Sequence, residues 1–272
     1  FNLFSKAYSI NKFGEKEINI ITSRGCIYNC SFCAAASSQN SNIPIRLKSI
    51  HSIENELYNI KRFYSEVESI RILDDLFLRS KQSILDAISI FSKFSFNWRA
   101  MAHVNTFSKI DIDILKKLKK SGCTELFIGI ESGSNEIRKK IHKPGSRELV
   151  LDNLSHLFEA GINIKGYFIY GFPEETIKDM EETYLLARNL KDLSIKYNVR
   201  FRTSVFQFRP YEGTEIYKYL LENNKISKEN YLIPSNQLTD LIGRKQFNFQ
   251  GENFSNVCMN SILDYICKTN SL

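Results

Sequence analysis

The sequence has little of what interrupts or disorders a chain, with 12 glycines and 5 prolines among 272 residues. Because 43% of the residues are hydrophobic and 25% are charged, the chain is neither collagen-like nor of low complexity, and it can bury a core. It lacks an apolar run near the roughly 18 residues of a membrane-spanning helix. Its first residues, Phe1 to Lys6, show no secretory leader. We therefore expect a soluble cytoplasmic protein with no membrane partner.

The chain also lacks a concentrated charge of one sign. Lys and Arg number 37 against 30 Asp and Glu, which gives a net charge of +7, but the excess is diffuse. The densest basic patches, at 116–120 and 138–140, fall in helix-like segments and are interpreted as solvated helix faces. Nucleic acid is therefore not an expected partner, whereas the positive charge would attract an anionic small-molecule substrate.

Cysteine is scarce outside one short segment. A disulfide framework is not expected in a chain of this size without a secretory leader. Cys123, Cys258 and Cys267 are isolated and are interpreted as small buried hydrophobic residues. The other three cysteines lie close together near the N-terminus.

Extended β-branched or aromatic runs alternate with helical patterns along the chain. The predicted strands cover residues 18–22, 69–73, 96–100, 125–130, 163–169 and 200–206. The predicted helices cover residues 49–64, 79–93, 109–121, 134–160 with a break at Pro144-Gly145, 174–193 and 214–223. Gly122 and Gly161 stand where left-handed helix caps belong. This alternation predicts an α/β fold, a partial (β/α)6 TIM-like barrel of parallel strands with a short C-terminal extension.

In such a barrel the functional residues stand at the C-terminal ends of the strands. Cys26, Cys30 and Cys33 follow the first strand with C-x3-C-x2-C spacing, so their three thiolates can share one metal centre. A structural zinc site usually has four ligands in paired C-x2-C units, and His51 is the only nearby histidine. An iron–sulfur cubane held by three cysteines leaves one iron open to another ligand. The cubane is the leading interpretation, and zinc is the alternative.

This spacing, with the aromatic Phe32 directly before the third cysteine, resembles the radical S-adenosylmethionine (SAM) superfamily. The resemblance covers roughly residues 17–223. It implies that the three cysteines ligate a [4Fe-4S] cluster, that SAM chelates the fourth iron, and that the backbone of Phe32 helps to hold the adenine. It further implies an enzyme that cleaves SAM to a 5′-deoxyadenosyl radical with electrons from a donor such as flavodoxin or ferredoxin.

Motifs at the other strand ends resemble one branch of that superfamily, whose members commonly carry a cobalamin-binding domain. These motifs are D-D-x-F from Asp74, G-I-E-S-G at 129–133, F-I-Y-G-F-P-E-E-T at 168–176 and R-P-Y-E-G-T at 209–214. A carboxylate at a strand end suits the cationic groups of SAM. The SAM contacts expected on this basis are Asp74, Asp75, Glu131, Ser132, Tyr170, Gly171 and Gln207.

The substrate side carries fewer motifs. His103 lies at the end of the third strand, and Arg209 and Tyr211 follow the sixth, so a parallel barrel would direct all three at its mouth. Arg209 would suit an anionic substrate. His103 is predicted to be a catalytic group, with a hydrogen-bonded structural role as its alternative, while Trp98 is assigned to the core.

The leading functional hypothesis is a cobalamin-type C-methyltransferase that acts on a small molecule. Because the chain starts at Phe1 and not at Met, we expect it to begin inside a longer polypeptide, and the branch resemblance implies a cobalamin domain before Phe1. We expect residues 1–16 as a lead-in, 17–223 as the core and 224–272 as a C-terminal extension. The alternatives among enzymes are a cobalamin-independent radical SAM oxidoreductase, epimerase or methylthiotransferase. A non-catalytic zinc-binding interaction module is the alternative from another class.

Overall fold

The structure is a computed structural model, and it describes residues 9–227 and 252–272. Its strands are β1 (Ser9–Ile10), β2 (Lys16–Ile20), β3 (Ser23–Arg24), β4 (Arg46–Leu47), β5 (Ser69–Ile72), β6 (Asn97–Ala102), β7 (Cys123–Glu131), β8 (Asn163–Tyr170) and β9 (Phe201–Gln207). Its α-helices are α1 (Ile50–Phe63), α2 (Lys81–Phe91), α3 (Ile112–Lys120), α4 (Asn135–Lys140), α5 (Arg147–Glu159), α6 (Ile177–Lys196), α7 (Glu215–Glu222) and α8 (Met259–Asn270). A short 3-10 helix covers Val104–Phe107.

The main sheet contains seven strands in the order β1-β2-β5-β6-β7-β8-β9. Strand β1 pairs antiparallel to β2, and the other six strands run parallel in chain order. The sheet curls into a half-barrel with helices between successive strands, so the predicted (β/α)6 fold is confirmed. All six predicted parallel strands are present, whereas β1 and the small β3–β4 ribbon were not predicted.

The helices begin and end at the residues that their capping chemistry favours. Side chains of Ser49, Ser80, Ser146 and Thr176 accept hydrogen bonds from backbone N–H groups of the first turns of α1, α2, α5 and α6. Gly122 and Gly161 have φ angles of 98° and 81°, which confirms the predicted left-handed positions after α3 and α5. The helices α3 and α5 therefore stop just before β7 and β8 begin.

The core lies between the outer face of the sheet and the helices. Trp98 on β6 is fully buried, stacks on Phe91 at a centroid distance of 4.9 Å, and donates from its indole N–H to the carbonyl of Ser121 at 3.0 Å. Its assignment to the core is confirmed. Because alternate residues of a strand point to opposite faces, the neighbours of these core residues point into the half-barrel.

The inner face of the sheet, which we call the lumen face, is charged at its lower end. Arg99 on β6 donates to both oxygens of Glu17 at 2.5 and 2.7 Å and to Glu125 at 3.1 Å. Arg202 on β9 also binds Glu125 through two hydrogen bonds, at 2.6 and 2.8 Å. These two arginines and two glutamates join β2, β6, β7 and β9 across the lumen. Because the carboxylates and Arg99 are buried, each charge depends on its partners.

The C-terminal helix α8 packs on the outside of the sheet. Thr269 bonds to the Tyr170 hydroxyl at 2.7 Å, and its carbonyl accepts from Thr203 at 2.9 Å, so α8 covers the ends of β8 and β9. Cys258 and Cys267 at this helix are exposed, which corrects their assignment as buried residues, whereas Cys123 is fully buried as expected. Within the described ranges, no helix has the length and apolar character needed to cross a membrane.

Candidate functional site

The three clustered cysteines lie on a loop that leaves the C-terminal end of β2. The ribbon β3–β4 pairs Ser23 with Leu47 and Arg24 with Arg46, and so holds the two ends of this loop together. We call residues 25–45 the cysteine loop. Turns bring the cysteines close, since the N–H of Cys33 donates to the carbonyl of Cys30 at 3.1 Å. Burial raises the pKa of all three thiols, that of Cys30 to about 11, and the Lys143 ammonium opposes this shift.

Two aspartates from the end of β5 fix the start of the cysteine loop. Asp74 is buried, and its carboxylate accepts from the N–H and hydroxyl of Thr22 at 2.7 and 2.6 Å and from the hydroxyl of Ser23 at 2.6 Å. Asp75 is exposed and accepts from the N–H of Gly25 at 2.8 Å. The structure therefore gives Asp74 a positioning role, and its expected SAM contact stays a prediction. Asp75 keeps one carboxylate oxygen for a ligand.

His103 at the end of β6 supports the loop from below. Its ring stacks on Tyr28 at a centroid distance of 3.8 Å, and its Nδ1 accepts from the N–H of Asn105 at 3.1 Å. Burial, together with the positive charges of Lys143 and Arg138, lowers the pKa of His103 to about 2. A neutral, stacked imidazole is not a general acid near neutral pH, so this geometry favours the structural alternative for His103.

The part of the cysteine loop that carries its second and third cysteines is anchored by backbone bonds and aromatic packing. Ser31 donates its N–H to the carbonyl of Ile141 and accepts from the N–H of Ile216, both at 3.0 Å. Phe32 packs edge-on against Phe172 at 5.6 Å, within an apolar cluster that follows β7, β8 and β9. The loop follows β2, and segments that follow the other five parallel strands, β5 to β9, converge on it, as the position of the motifs predicted.

Glu131, the last residue of β7, lies beside the cysteines. It is buried, and its carboxylate pairs with the Lys143 ammonium at 3.1 Å. Its φ of 65° is in the left-handed region, next to a bulge in the pairing of β7 with β8. The side chain folds back over Gly129, where any Cβ would collide with the Glu131 carboxylate. The G-I-E motif therefore requires its glycine so that the carboxylate can lie over the strand.

Lys143 was not identified from the sequence, although it pairs with Glu131 and its positive charge acts on all three thiols. The segment that carries it is held by Arg138, whose buried guanidinium donates to four backbone carbonyls: those of Ile130, Ser132, Pro144 and Gly145. The assignment of Arg138 to a solvated helix face is wrong, whereas its neighbours Lys139 and Lys140 are exposed. The only signal in the sequence was the break at Pro144-Gly145.

Three of the expected SAM contacts point elsewhere. The Ser132 hydroxyl is fully buried and bonds to Thr183 of α6 at 3.1 Å. The Tyr170 side chain is also fully buried, on the outer face of β8 beneath α8. The Gln207 amide donates to the carbonyl of Glu252 at 3.3 Å, so it faces the C-terminal segment. These three side chains are therefore turned away from the barrel mouth, and the SAM contacts of the three residues stay predictions that only their backbones could satisfy.

Of the remaining residues, Gly171 follows β8 with a φ of 91° and donates its N–H to Glu175, while Tyr211 is 49% exposed. The carbonyl of Tyr211 accepts from the N–H and hydroxyl of Thr214, which caps α7. Arg209 lies partly buried in the same segment. The structure leaves Gly171, Arg209 and Tyr211 at the barrel mouth, where their ligand roles stay predictions.

Glu175 is a buried carboxyl that braces the turn after β8. One of its oxygens accepts from the N–H groups of Gly171 and Phe172, and the other has no hydrogen-bond partner among the residues that the structure describes. Burial raises the pKa of Glu175 from its ordinary value of 4.5 to about 8. The folded chain therefore holds this proton at pH values where the unfolded chain releases it. The free energy of unfolding should fall as pH rises from 4.5 to about 8.

We predict that Glu175→Gln gains stability over the unchanged chain as pH rises from about 5 to about 9, on the order of a few kcal/mol. Urea unfolding at several pH values measures this. The matched control is Glu174→Gln, because the exposed Glu174 bonds to Lys140 and Tyr219, and these partners lower its pKa. The difference in unfolding free energy between Glu174→Gln and the unchanged chain should not change with pH above about 5. If the difference in unfolding free energy between Glu175→Gln and the unchanged chain does not change with pH, the prediction is wrong.

A family comparison agrees with this geometry. Residues 20–187 match the sequence profile described as the radical SAM superfamily. The chain belongs to the radical SAM superfamily. The match begins at the end of β2 and ends within α6, so it includes the cysteine loop, Asp74 and Glu131.

Two relatives that are named as methyltransferases resemble this chain over most of its length. An uncharacterized methyltransferase of Pyrococcus horikoshii is 33% identical over 215 residues, 78% of this chain and 44% of the relative. The cytidylyl-2-hydroxyethylphosphonate methyltransferase of Streptomyces wedmorensis is 24% identical over 238 residues, 84% of this chain and 42% of the relative. The chain therefore spans less than half the length of these relatives.

Solved structures of radical SAM enzymes share the fold. The cobalamin-dependent S-adenosylmethionine radical enzyme OxsB, with aqua-cobalamin and S-adenosylmethionine bound, has a TM-score of 0.62 at 18% identity over 81% of this chain and 37% of its own. The radical SAM methyltransferase TsrM from Kitasatospora setae has a TM-score of 0.55 at 15% identity over 75% of this chain and 36% of its own. At these identities the likeness is one of fold.

The donor set of this radical SAM chain fits the cluster that its superfamily implies. Cys26, Cys30 and Cys33 are free thiols on one loop. Cys26 acts electrostatically on both of the others, and Cys33 acts on Cys30. Across residues 9–227 and 252–272, no three His, Cys, Asp or Glu side chains converge on a point that a single ion would occupy. A cubane does not require such convergence, because each thiolate binds a different iron. Lys143 supplies positive charge beside the three thiols, which favours their thiolate forms.

Proposed function

We propose that this chain is the catalytic core of a cobalamin-type radical SAM C-methyltransferase acting on a small molecule. The observation that carries the proposal is the cysteine loop, whose three thiols are held beside the Glu131–Lys143 pair by anchors from several strand ends. The methyltransferase assignment is supported by the names of the relatives, and the cobalamin assignment by structural neighbours that bind cobalamin. We also propose residues 17–223 as the core, between a lead-in and a C-terminal extension.

Cys26, Cys30 and Cys33 would hold the [4Fe-4S] cluster, and the backbone of Phe32 would lie against the adenine of SAM. When bound, the cluster and SAM supply a single electron and a 5′-deoxyadenosyl radical, and cobalamin supplies a methyl carrier. Within the chain, Asp74 and His103 hold the loop in place, and the aromatic packing of Phe32 shields one side of it from water. These residues position the reaction and do not exchange protons with it.

The Glu131–Lys143 pair matches the methionyl end of SAM, which carries one ammonium and one carboxylate. Both charged side chains are more than 90% buried and lie within electrostatic reach of the thiols. The Glu131 carboxylate can bind the SAM ammonium while the Lys143 ammonium binds the SAM carboxylate. Each buried charge then keeps a partner of opposite sign. Asp75 would offer a further acceptor to the ammonium, because one of its oxygens is not used by Gly25.

The products of SAM distinguish the proposed activity from its alternatives. Reconstituted protein with dithionite and SAM should release methionine and 5′-deoxyadenosine. With hydroxocobalamin added it should also release S-adenosylhomocysteine, the product left when SAM gives up its methyl group. Release of 5′-deoxyadenosine alone would favour a cobalamin-independent oxidoreductase or epimerase. Tightly bound zinc without iron would favour the interaction module and would reject the proposal.

We predict that Glu131→Gln weakens SAM binding by roughly ten- to a hundredfold, because it removes a charge-assisted hydrogen bond and the charge that balances Lys143. Isothermal titration of SAM into the cluster-loaded protein measures this. The control Glu136→Gln removes an exposed carboxylate from α4 and should leave the affinity unchanged. Equal affinities for Glu131→Gln and the unchanged chain would refute the ligand role of Glu131.

The compartment and the reductant follow from the same chemistry. All six cysteines are free thiols, and a cluster held by thiolates needs a reducing environment. We therefore propose that the protein works in the cytoplasm. A one-electron donor such as flavodoxin or ferredoxin is the proposed partner, and the proposed substrate is an anionic small molecule.

A further inference from the structure

Arg71 is a lumen-facing cation that the proposed SAM site does not use. It lies on β5, one strand from Arg99 and opposite it in register. Its guanidinium reaches across the lumen to the Phe127 ring of β7, with 5.4 Å between the guanidinium carbon and the ring centroid. Arg99 lies at the same distance from that ring, so two arginines flank one phenyl group.

The two arginines differ in their partners. Arg99 is neutralised by Glu17 and Glu125, and Arg202 shares Glu125. Arg71 forms no ion pair and no side-chain hydrogen bond within the described ranges, and its Nε is buried without a partner. A buried guanidinium N–H without an acceptor is costly, and ligand sites are a common reason for retaining one.

A second polar group faces the same part of the lumen. Tyr167 on β8 is partly buried, and its hydroxyl has no hydrogen-bond partner in the part of the chain that the structure describes. Burial raises the pKa of Tyr167, and the positive charge of Arg71 is the strongest effect opposing that rise. Arg71 and Tyr167 therefore approach one region of the lumen from strands on opposite sides of β6 and β7.

We propose that Arg71, assisted by the Tyr167 hydroxyl, binds an oxyanionic group of the substrate inside the half-barrel. The planar guanidinium presents paired N–H donors that match a phosphoryl group or a carboxylate, and a phenol adds one more donor. The inference rests on the proposed function, because it places the substrate in the lumen below the cysteine loop. It assigns the anion to Arg71, whereas the sequence pointed to Arg209.

The carboxylate of SAM is not the anion in question. Five charged side chains interact electrostatically with the thiols: Lys143, Glu131, Asp75, Arg79 and Arg138. Arg71 acts instead on Tyr167. Arg71 also precedes the end of its strand, whereas Lys143 and Asp75 lie beyond theirs. The cofactor and the substrate anion thus have separate cations.

The experiment titrates methylphosphonate, and in a second arm acetate, into the cluster-loaded, SAM-bound protein, with binding followed by calorimetry. Arg71→Gln should weaken binding of the preferred anion by roughly ten- to a hundredfold, and Tyr167→Phe by a few-fold. The control Arg188→Gln removes an exposed charge of the same kind from α6 and should change nothing. The arm that responds identifies the anion as phosphoryl or carboxylate. The affinity for SAM is measured beside each titration.

Three outcomes would overturn the proposal: no binding of either anion by the unchanged chain, equal binding by Arg71→Gln, or a loss in Arg71→Gln that affects SAM and leaves both anions unaffected. If Arg71→Gln fails to fold, Arg71→Lys and Tyr167→Phe decide the question, because both keep the size of the side chain. Failure of the proposed function would instead appear as absent SAM cleavage in a chain whose anion binding still depends on Arg71. The two failures are therefore distinguishable.

Discussion

Anaerobic reconstitution of the triple variant Cys26→Ala, Cys30→Ala and Cys33→Ala is expected to yield protein without a [4Fe-4S] cluster and without SAM cleavage. The unchanged chain should bind about four iron and about four sulfide. The reason is that these thiols are the side-chain ligands that the cysteine loop presents, and Asp74 at its start is committed to holding the loop. Iron and sulfide analysis and the broad visible absorption measure the loss.

The matched control for this result is the double variant Cys258→Ser and Cys267→Ser. Both residues are exposed at the C-terminal helix α8, on the outer side of the sheet. Because they lie away from the cysteine loop, this variant should keep its full complement of iron. A triple variant that retains its cluster, or a control that loses it, would remove the assignment of the three ligands.

The largest stability effect is expected for Arg99→Met, at roughly 3–5 kcal/mol of unfolding free energy. Arg99 is bonded to two buried carboxylates, Glu17 and Glu125, and its removal leaves Glu17 without a cation. Methionine keeps much of the side-chain volume, so the cost comes from unpaired charge and not from a cavity. Urea unfolding at pH 7 of both proteins measures the difference.

Arg71→Met is the control, because Arg71 lies beside Arg99 on the neighbouring strand and faces the same lumen without a carboxylate partner. Its substitution should cost less than about 1 kcal/mol, near the range of surface changes. If Arg99→Met and Arg71→Met lower the unfolding free energy equally, the ion pairs of Arg99 add no stability beyond the packing of its side chain. A small cost at Arg71 would also agree with its assignment to a ligand.

The sequence by itself determined the order and type of the elements. Six parallel strands lie where apolar β-branched runs predicted them, and the glycines at 122 and 161 end helices as their left-handed φ angles require. The position of the cysteines was also predictable, because a parallel strand followed by a helix places the intervening loop at the C-terminal edge of the sheet. Glu131 was found for the same reason, as a carboxylate that ends an apolar strand.

Only the tertiary structure decided which face each side chain occupies and which residues meet. Tyr170 and Gln207 end strands as Glu131 does, but the alternation of the strand turns them towards α8, and the bulge and positive φ of Glu131 turn its carboxylate inwards. Lys143 reaches the cysteines because Arg138 fixes its segment through backbone carbonyls. Such contacts join residues far apart in the chain, and no local pattern of the sequence encodes them.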